Sequence, residues 1–514
     1  MARGIEMKNI NEILQTDWVF ATENYDDDFH TDIVFLRVIE NEFIINSGKR
    51  HKKVLVKYNG TYNQLFFSRK ESIELSEQLI KLFFNNSEWR KNIHFQIRRY
   101  SGELGHLYDG IDISNIRLWS LDELISIYKS QHAIKQQLYY WGWIAETMHA
   151  SNNSIETHLK HYLVSLGVPK EKISIVFSDL LFCPSSSVYD HEQMELQLII
   201  DYIRKKEKYT NKRKIQNSIT SEIREMVSRI HDKYKYLYYH GYRNHPRNVT
   251  CYYSLIQDYL KENRNFYNPA LKNQQREAFD SCCMEYMINE NSQDIFMSYA
   301  ELGVSKSIRR LAELKNFYYV DAIISELSYR FNISENIIRF MKPEELIAIQ
   351  TIDKATLEEI ALRTNKMIYY YNGINESIIT DDLSINAICE VATKDKVDSI
   401  IIQGSIACAG VANGKVHIIN KSSEIDKMEQ IFKHGDILVS YEPNPDFISL
   451  IRKSGAIVTD QGGITCHIAS IARELNIPCI VGTESATSTL KEGDFVFVDA
   501  NNGIVLIKGE KKDD

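Results

Sequence analysis

Asp460-Gln461-Gly462-Gly463-Ile464-Thr465-Cys466-His467-Ile468-Ala469-Ser470-Ile471-Ala472-Arg473-Glu474-Leu475-Asn476-Ile477-Pro478 is the stretch on which the reading of this chain turns. The apolar run Ala456-Ile457-Val458 before it reads as a strand, and the two glycines free the backbone for a tight turn. Thr465 is placed to cap a helix, because Ile468, Ile471, Ala472 and Leu475 follow at i, i+3, i+4 and i+7. Pro478 stops the next element, and Cys479-Ile480-Val481-Gly482 reads as a buried strand ending in a turn. His467 therefore falls in the first turn of a short helix, where unpaired N–H groups and the positive end of the helix dipole suit an anion. An imidazole at that spot is able to attack phosphorus and carry the phosphoryl group. Spacing alone fits a capping or hydrogen-bonded surface histidine at least as well.

The motif spelled by Gly462–Pro478, Gly-Gly-x-Thr-Cys-His-x-Ala-x-x-Ala-Arg-Glu-Leu-x-Ile-Pro, resembles the phosphohistidine motif of phosphoenolpyruvate-utilising enzymes. That family includes phosphoenolpyruvate synthase, pyruvate phosphate dikinase and rifampicin phosphotransferase, and the motif belongs to its mobile domain. The resemblance runs from Gly404 to near Gly509, with Asn444-Pro445-Asp446 where the family usually has Thr-Pro-Asp. Ile468 replaces the usual alanine, and Ser470 stands at an ordinarily apolar position. The resemblance implies a swivelling domain with His467 as nucleophile, and Gly462, Gly463, Thr465 and Cys466 around the phosphoryl group. Arg473 is expected to pair structurally and not to bind phosphate.

With 514 residues the chain exceeds one core and suggests about two to four domains. A hydrophobic share of 44% and a charged share of 25% are ordinary for a globular protein. The net charge of -8 argues against a nucleic-acid partner. No apolar stretch is long enough for a bilayer and the N-terminus lacks a signal-peptide core, so no membrane partner and a cytoplasmic location are expected. The 8 cysteines show no C-x-x-C spacing, so neither disulfides nor zinc are expected. His158-x-x-His161 and His240-x-x-x-x-His245 lack an obvious third ligand, so no metal site is expected there.

A multidomain α+β chain is expected: a small α/β cap with helices over 1–118, a mainly helical segment and hinge over 119–396, and a compact α/β phosphohistidine domain over 397–514. In the first, Ile33-Val34-Phe35-Leu36, Glu42-Phe43-Ile44-Ile45, Val54–Tyr58 and Gln64–Phe67 read as strands, with a turn at Asn59-Gly60. Helical periodicity follows from Ser72 to Phe84, and Ser120 with Glu123 opens a capped helix. The ring-rich run from Tyr234 to His245, with Tyr239, His240, Tyr242 and Arg243, is a candidate acceptor-binding patch, although such residues also simply fill space between helices. Arg309 and Arg310 are able to clamp phosphate, an exposed ion-pair face being the simpler reading. From Tyr371 to Lys396 the pattern loosens and reads as a hinge. Six short strands are then expected: Lys415–Ile419, Asp436–Val439, Ala456–Val458, Cys479–Val481, Phe495–Val498 and Ile504–Ile507.

Neither an ATP-grasp module nor a phosphoenolpyruvate-binding barrel is legible. The expected function is therefore that of a phosphotransferase component. A separate ATP-grasp protein, holding the ATP and Mg2+, loads His467, and a small-molecule acceptor sits on the helical region. A divergent self-contained kinase and a regulatory scaffold remain as alternatives.

Overall fold

The computed structural model describes the chain apart from residues 1, 25–27, 42–48, 150–153, 208–219, 240–245, 262–264, 268, 393–401, 422–423, 442–446, 464–465 and 508–514. Its β-favouring runs form two sheets, one of five strands and one of eight. The first sheet is β1 (Trp18–Asn24), β2 (Val54–Asn59), β3 (Tyr62–Ser68), β4 (Lys366–Tyr371) and β5 (Glu376–Ile379), in the order β1-β3-β2-β4-β5 and antiparallel throughout. Gly60 takes φ +61 in the expected turn between β2 and β3, a conformation that costs glycine little.

Two expectations fail here for identifiable reasons. Ile33–Leu36 lies in a helix, Phe29–Asn41, not in a strand. Phe29, Ile33 and Leu36 recur at helical spacing and are fully buried, so packing overrides the β preference of Ile and Val. The proposed strand at 42–45 lies outside the described residues. The segment read as a hinge from Tyr371 is ordered as far as Ala392. Asn372 Oδ1 accepts from the backbone N–H groups of Ile374 and Asn375, closing a turn between β4 and β5. The following helix, Asp382–Ala392, buries Ile385 and Ile388 against Trp18, Leu55, Phe66 and Tyr370. Residues 1–118 thus complete their sheet only with 366–392, because β2 pairs along its length with β4. The remainder of the expected hinge, 393–396, lies outside the described residues.

The helical body is built around one helix of 42 residues, Glu290–Phe331, capped by Asn289 and ended by Asn332 in the left-handed conformation. Against it lie Ser87–His106 and Leu121–Gly142, the latter with the expected Ser120–Glu123 capping box. No helix among the described residues is long and apolar enough to cross a membrane.

The second sheet comprises β6 (Ile402–Gln403), β7 (Ser405–Cys408), β8 (Val411–Ile418), β9 (Ile437–Ser440), β10 (Ala456–Thr459), β11 (Cys479–Val481), β12 (Phe495–Asp499) and β13 (Ile504–Ile507). Its order is β6-β13-β12-β8-β9-β10-β11-β7, with β8, β9, β10 and β11 parallel. The six expected strands are all present, to within a few residues. One face of this unit joins the apolar cluster of the helical body through Ile468, Ala469, Ile471 and Cys408. Arg452 lies 5.5 Å from the ring centres of both Tyr259 and Phe266. The C-terminal unit is therefore seated on apolar surface, where a loosely joined unit was expected.

The shared sheet makes a prediction. A fragment 1–118 lacks the partner strand of β2 and is expected to show no cooperative thermal transition, whereas 1–392 is expected to unfold cooperatively. Circular dichroism melts of both fragments check this, and a cooperative 1–118 melt contradicts it.

Candidate phosphohistidine site

The strand β10 is buried along its whole length, and Asp460 at its end is buried too. Its carboxylate accepts from Thr483 Oγ1 at 2.8 Å, from the N–H groups of Ala486 and Thr487, and from the Thr487 hydroxyl. A buried carboxylate needs such donors, and here they fix where the next turn begins. Gly462 follows with φ +105, a backbone state that L side chains rarely adopt. Cys466 N donates to Gly463 O at 2.9 Å and so closes the turn.

The helix that follows is His467–Leu475, with Cys466 at its cap position. This corrects the assignment of Thr465 as cap: the cap falls one residue later, the Cys466 side chain makes no capping bond, and Thr465 lies outside the described residues. His467 is the first helical residue, in the first turn as the spacing requires. Ile468, Ala469, Ile471 and Ala472 are buried, which fixes the helix on the sheet and on the body. Asn476 ends it with φ +53. Burial pushes the Cys466 thiol up, which keeps it protonated. Arg473 donates to Ala407 O at 3.1 Å, a structural contact.

What the turn touches was not legible in the sequence. A Cβ on Gly463 would stand 2.9 Å from His149 Cε1, so only glycine admits this approach without displacing the ring. His149 lies two residues past the short helix Ile144–Thr147, and its Nε2 is 3.4 Å from the Tyr299 hydroxyl. Beside it Lys306 donates to Glu146 at 3.0 Å, while Arg309 stands 3.8 Å from Glu146 and 3.4 Å from Glu313. Burial, helped by Lys306, lowers His149 to about 4, so the ring is neutral near pH 7. Burial alone would raise Glu146, but Lys306 and Arg309 outweigh it and hold the carboxyl below its ordinary value. Lys306 and Glu146 are near enough to act on Cys466 as well. Lys306 thus stands close to the N-terminus of the helix that begins with His467.

Of the site residues expected from sequence, Gly462, Gly463, Cys466 and the backbone of His467 are brought together. Tyr239 is not among them. It is buried and its hydroxyl donates to Asp321, which pairs with Arg339 at 2.5 Å. Asp321 lies 12 residues beyond Arg309, about 18 Å along the same helix. His240, Tyr242, Arg243 and Asn444–Asp446 lie outside the described residues. Arg309, read as more simply an exposed ion-pair residue, has a side chain only 12% exposed. One sequence signal pointed to the missed groups: Lys306, Arg309 and Glu313 place charge at i, i+3 and i+7 on an otherwise apolar helix face.

Residues 432–503 match the family described as PEP-utilising enzyme, mobile domain. The chain is 43% identical over 125 residues to a probable phosphoenolpyruvate synthase of Methanothermobacter thermautotrophicus, covering 24% of this chain and 18% of that protein. It is 44% identical over 123 residues to the phosphoenolpyruvate synthase of Pyrococcus furiosus, covering 24% of this chain and 15% of the relative. For the enzyme of Pseudomonas aeruginosa the identity is 40% over 105 residues, covering 20% of this chain and 13% of the relative. The matched part is less than a fifth of each of these relatives. Within the C-terminal unit, residues 432–503 are thus similar to the mobile domain of phosphoenolpyruvate-utilising enzymes.

His149 sets a pH prediction. Its pKa is about 4 in the folded protein and 6.5 in an unfolded chain, so the unfolded form binds more protons between these values. Folding stability is therefore expected to decrease as pH falls from about 6.5 to about 4, by up to about 3 kcal/mol. Melting temperatures of the wild type and His149→Phe across that range check this. Parallel pH profiles for the two proteins contradict it.

Proposed function

We propose that this chain is a phosphotransferase component that carries a phosphoryl group on His467 and delivers it to a small molecule held by the helical body. A separate ATP-grasp protein, holding the nucleotide and its magnesium, loads the histidine in a cytoplasmic setting. The observation that carries this reading is the seating of the Gly462-Gly463 turn on His149, with Lys306 and Arg309 next to it. A carrier histidine needs an acceptor-side surface with positive charge, and this seating supplies one.

In the loading step neutral His467 attacks the phosphorus in line, and the bond from phosphorus to the donor's leaving oxygen breaks. The free N–H groups of the first helical turn receive the phosphoryl oxygens. Thr465 adds its hydroxyl on this reading. Cys466 is no competitor, since its buried thiol is held protonated. To meet the loading protein, the domain leaves its seat on the helices and later returns, a rigid-body movement about the segment that joins the two.

The test is mass spectrometry of the full chain purified from its own cell and kept alkaline, where phosphohistidine survives. Phosphate is expected on the peptide containing His467, absent in His467→Ala and retained in Cys466→Ala. Phosphate that survives His467→Ala but not Cys466→Ala overturns the assignment.

A further inference from the structure

We infer that Cys408 and Cys479 form an oxidant-responsive site: a peroxide joins them as a disulfide when the C-terminal unit leaves its seat, and the seated unit is protected. The pairing is independent of the phosphohistidine reading above, and only the protection rests on the movement proposed with it.

Strand register sets the pair. Cys479 of β11 and Cys408 of β7 are directly opposite partners across an antiparallel ladder. Such partners have Cα atoms about 4.5–5.5 Å apart, with their side chains on one face. A disulfide spans about 4.4–6.8 Å between Cα atoms, so the backbone already meets its requirement. The ladder shifts just beyond the pair, at Ala407, whose carbonyl accepts from Arg473. Both cysteines are free thiols, buried in the apolar cluster beneath the helix His467–Leu475, which packs on β7 and β11. Cys466 is near enough to act on Cys479, but it belongs to the helix cap and no strand register sets it opposite a thiol.

The body covers this pair. β7 is the edge strand of its sheet and packs on the helix Ile173–Asp179, whose Val176 and Phe177 share the apolar cluster with Cys408. In the seat, burial pushes both thiols up, Cys479 well above its ordinary value, and a protonated thiol is a poor nucleophile. Arg473 pulls Cys408 the other way. It belongs to the same unit as Cys408 and travels with it. Lifting β7 off Ile173–Asp179 therefore admits water and oxidant, and leaves in place the cation that favours the thiolate.

The chemistry balances with one hydrogen peroxide. The Cys408 thiolate attacks one peroxide oxygen and the O–O bond breaks. Hydroxide leaves, takes up the proton lost by the thiol, and becomes water, while Cys408 becomes a sulfenic acid. The Cys479 sulfur then attacks the Cys408 sulfur, the S–O bond breaks, and the second oxygen leaves as water with the Cys479 proton. Two thiols are oxidised to one disulfide, and the peroxide is reduced to two waters. A dithiol such as dithiothreitol reverses the product.

The test treats the full chain with excess hydrogen peroxide, alkylates the remaining thiols, digests without reduction, and follows cross-linked peptides by mass spectrometry over time. A peptide pair joining Cys408 to Cys479 is expected, lost on dithiothreitol and absent in Cys408→Ala and in Cys479→Ala. Cys466→Ala is expected to keep it. No cross-link, or one that joins Cys466 instead, overturns the pairing. Gly463→Ala tests the protection, because its Cβ would stand 2.9 Å from His149 Cε1. The φ of Gly463 is not positive, so alanine there strains the seat and not the turn. Cross-linking is expected to run about tenfold faster in Gly463→Ala, and to return toward the wild-type rate when His149→Ala is added. Equal rates in the wild type and folded Gly463→Ala overturn the protection. Neither readout involves a phosphoryl group, so the result stands apart from whether His467 carries one.

Discussion

The approach of Gly463 to His149 is the contact on which the arrangement of the two halves depends. Position 463 carries no side chain, and a Cβ there would reach into the imidazole ring. With the turn seated so closely, the N-terminus of the helix that begins at His467 lies near Lys306 and Glu146. Asp460 steadies the turn from behind, through donors in the 483–487 loop. A strand end, a glycine turn and a helix N-terminus thus act together, each fixing the next.

The charges on the body side are poorly explained by stability alone. Burying Lys306 against Glu146 costs desolvation that their attraction only partly returns, and apolar residues of similar size would commonly serve as well. Arg309 and Glu313 are less well satisfied still. Paired charges beside a helix that starts with His467, the proposed carrier, fit a station through which a phosphoryl group passes. Ile468, Ala469 and Ile471 join the apolar cluster of the body beside it, and His149 is half-buried and neutral near pH 7.

How much of this was legible in the sequence follows from which forces act locally. The C-terminal strands and the helix after the double glycine are set by short-range patterns of apolar residues, and Ala456–Thr459, Cys479–Val481 and His467–Leu475 lie where those patterns put them. The cap was misplaced by one residue because Thr465 is the better capping side chain, while the backbone turns at Cys466. Phe29–Asn41 was misread because Ile and Val favour strands until tertiary burial decides. The pairing of β2 with β4 joins residues about 310 positions apart, which no local pattern announces. The charged station was hidden for the same reason. Glu146, His149 and Lys306 are ordinary residues until the fold brings the Gly463 turn to them.

The central claim is that one domain alternates between a seat on the helices and a position where its histidine is loaded. Single-molecule energy transfer between fluorophores at Ser130 on the body and Ser488 on the mobile domain measures this directly, both positions being exposed. The account predicts two distances, the one in this structure and a second, with populations that shift when His467 is phosphorylated. A single distance, the same with and without the phosphoryl group, would contradict it.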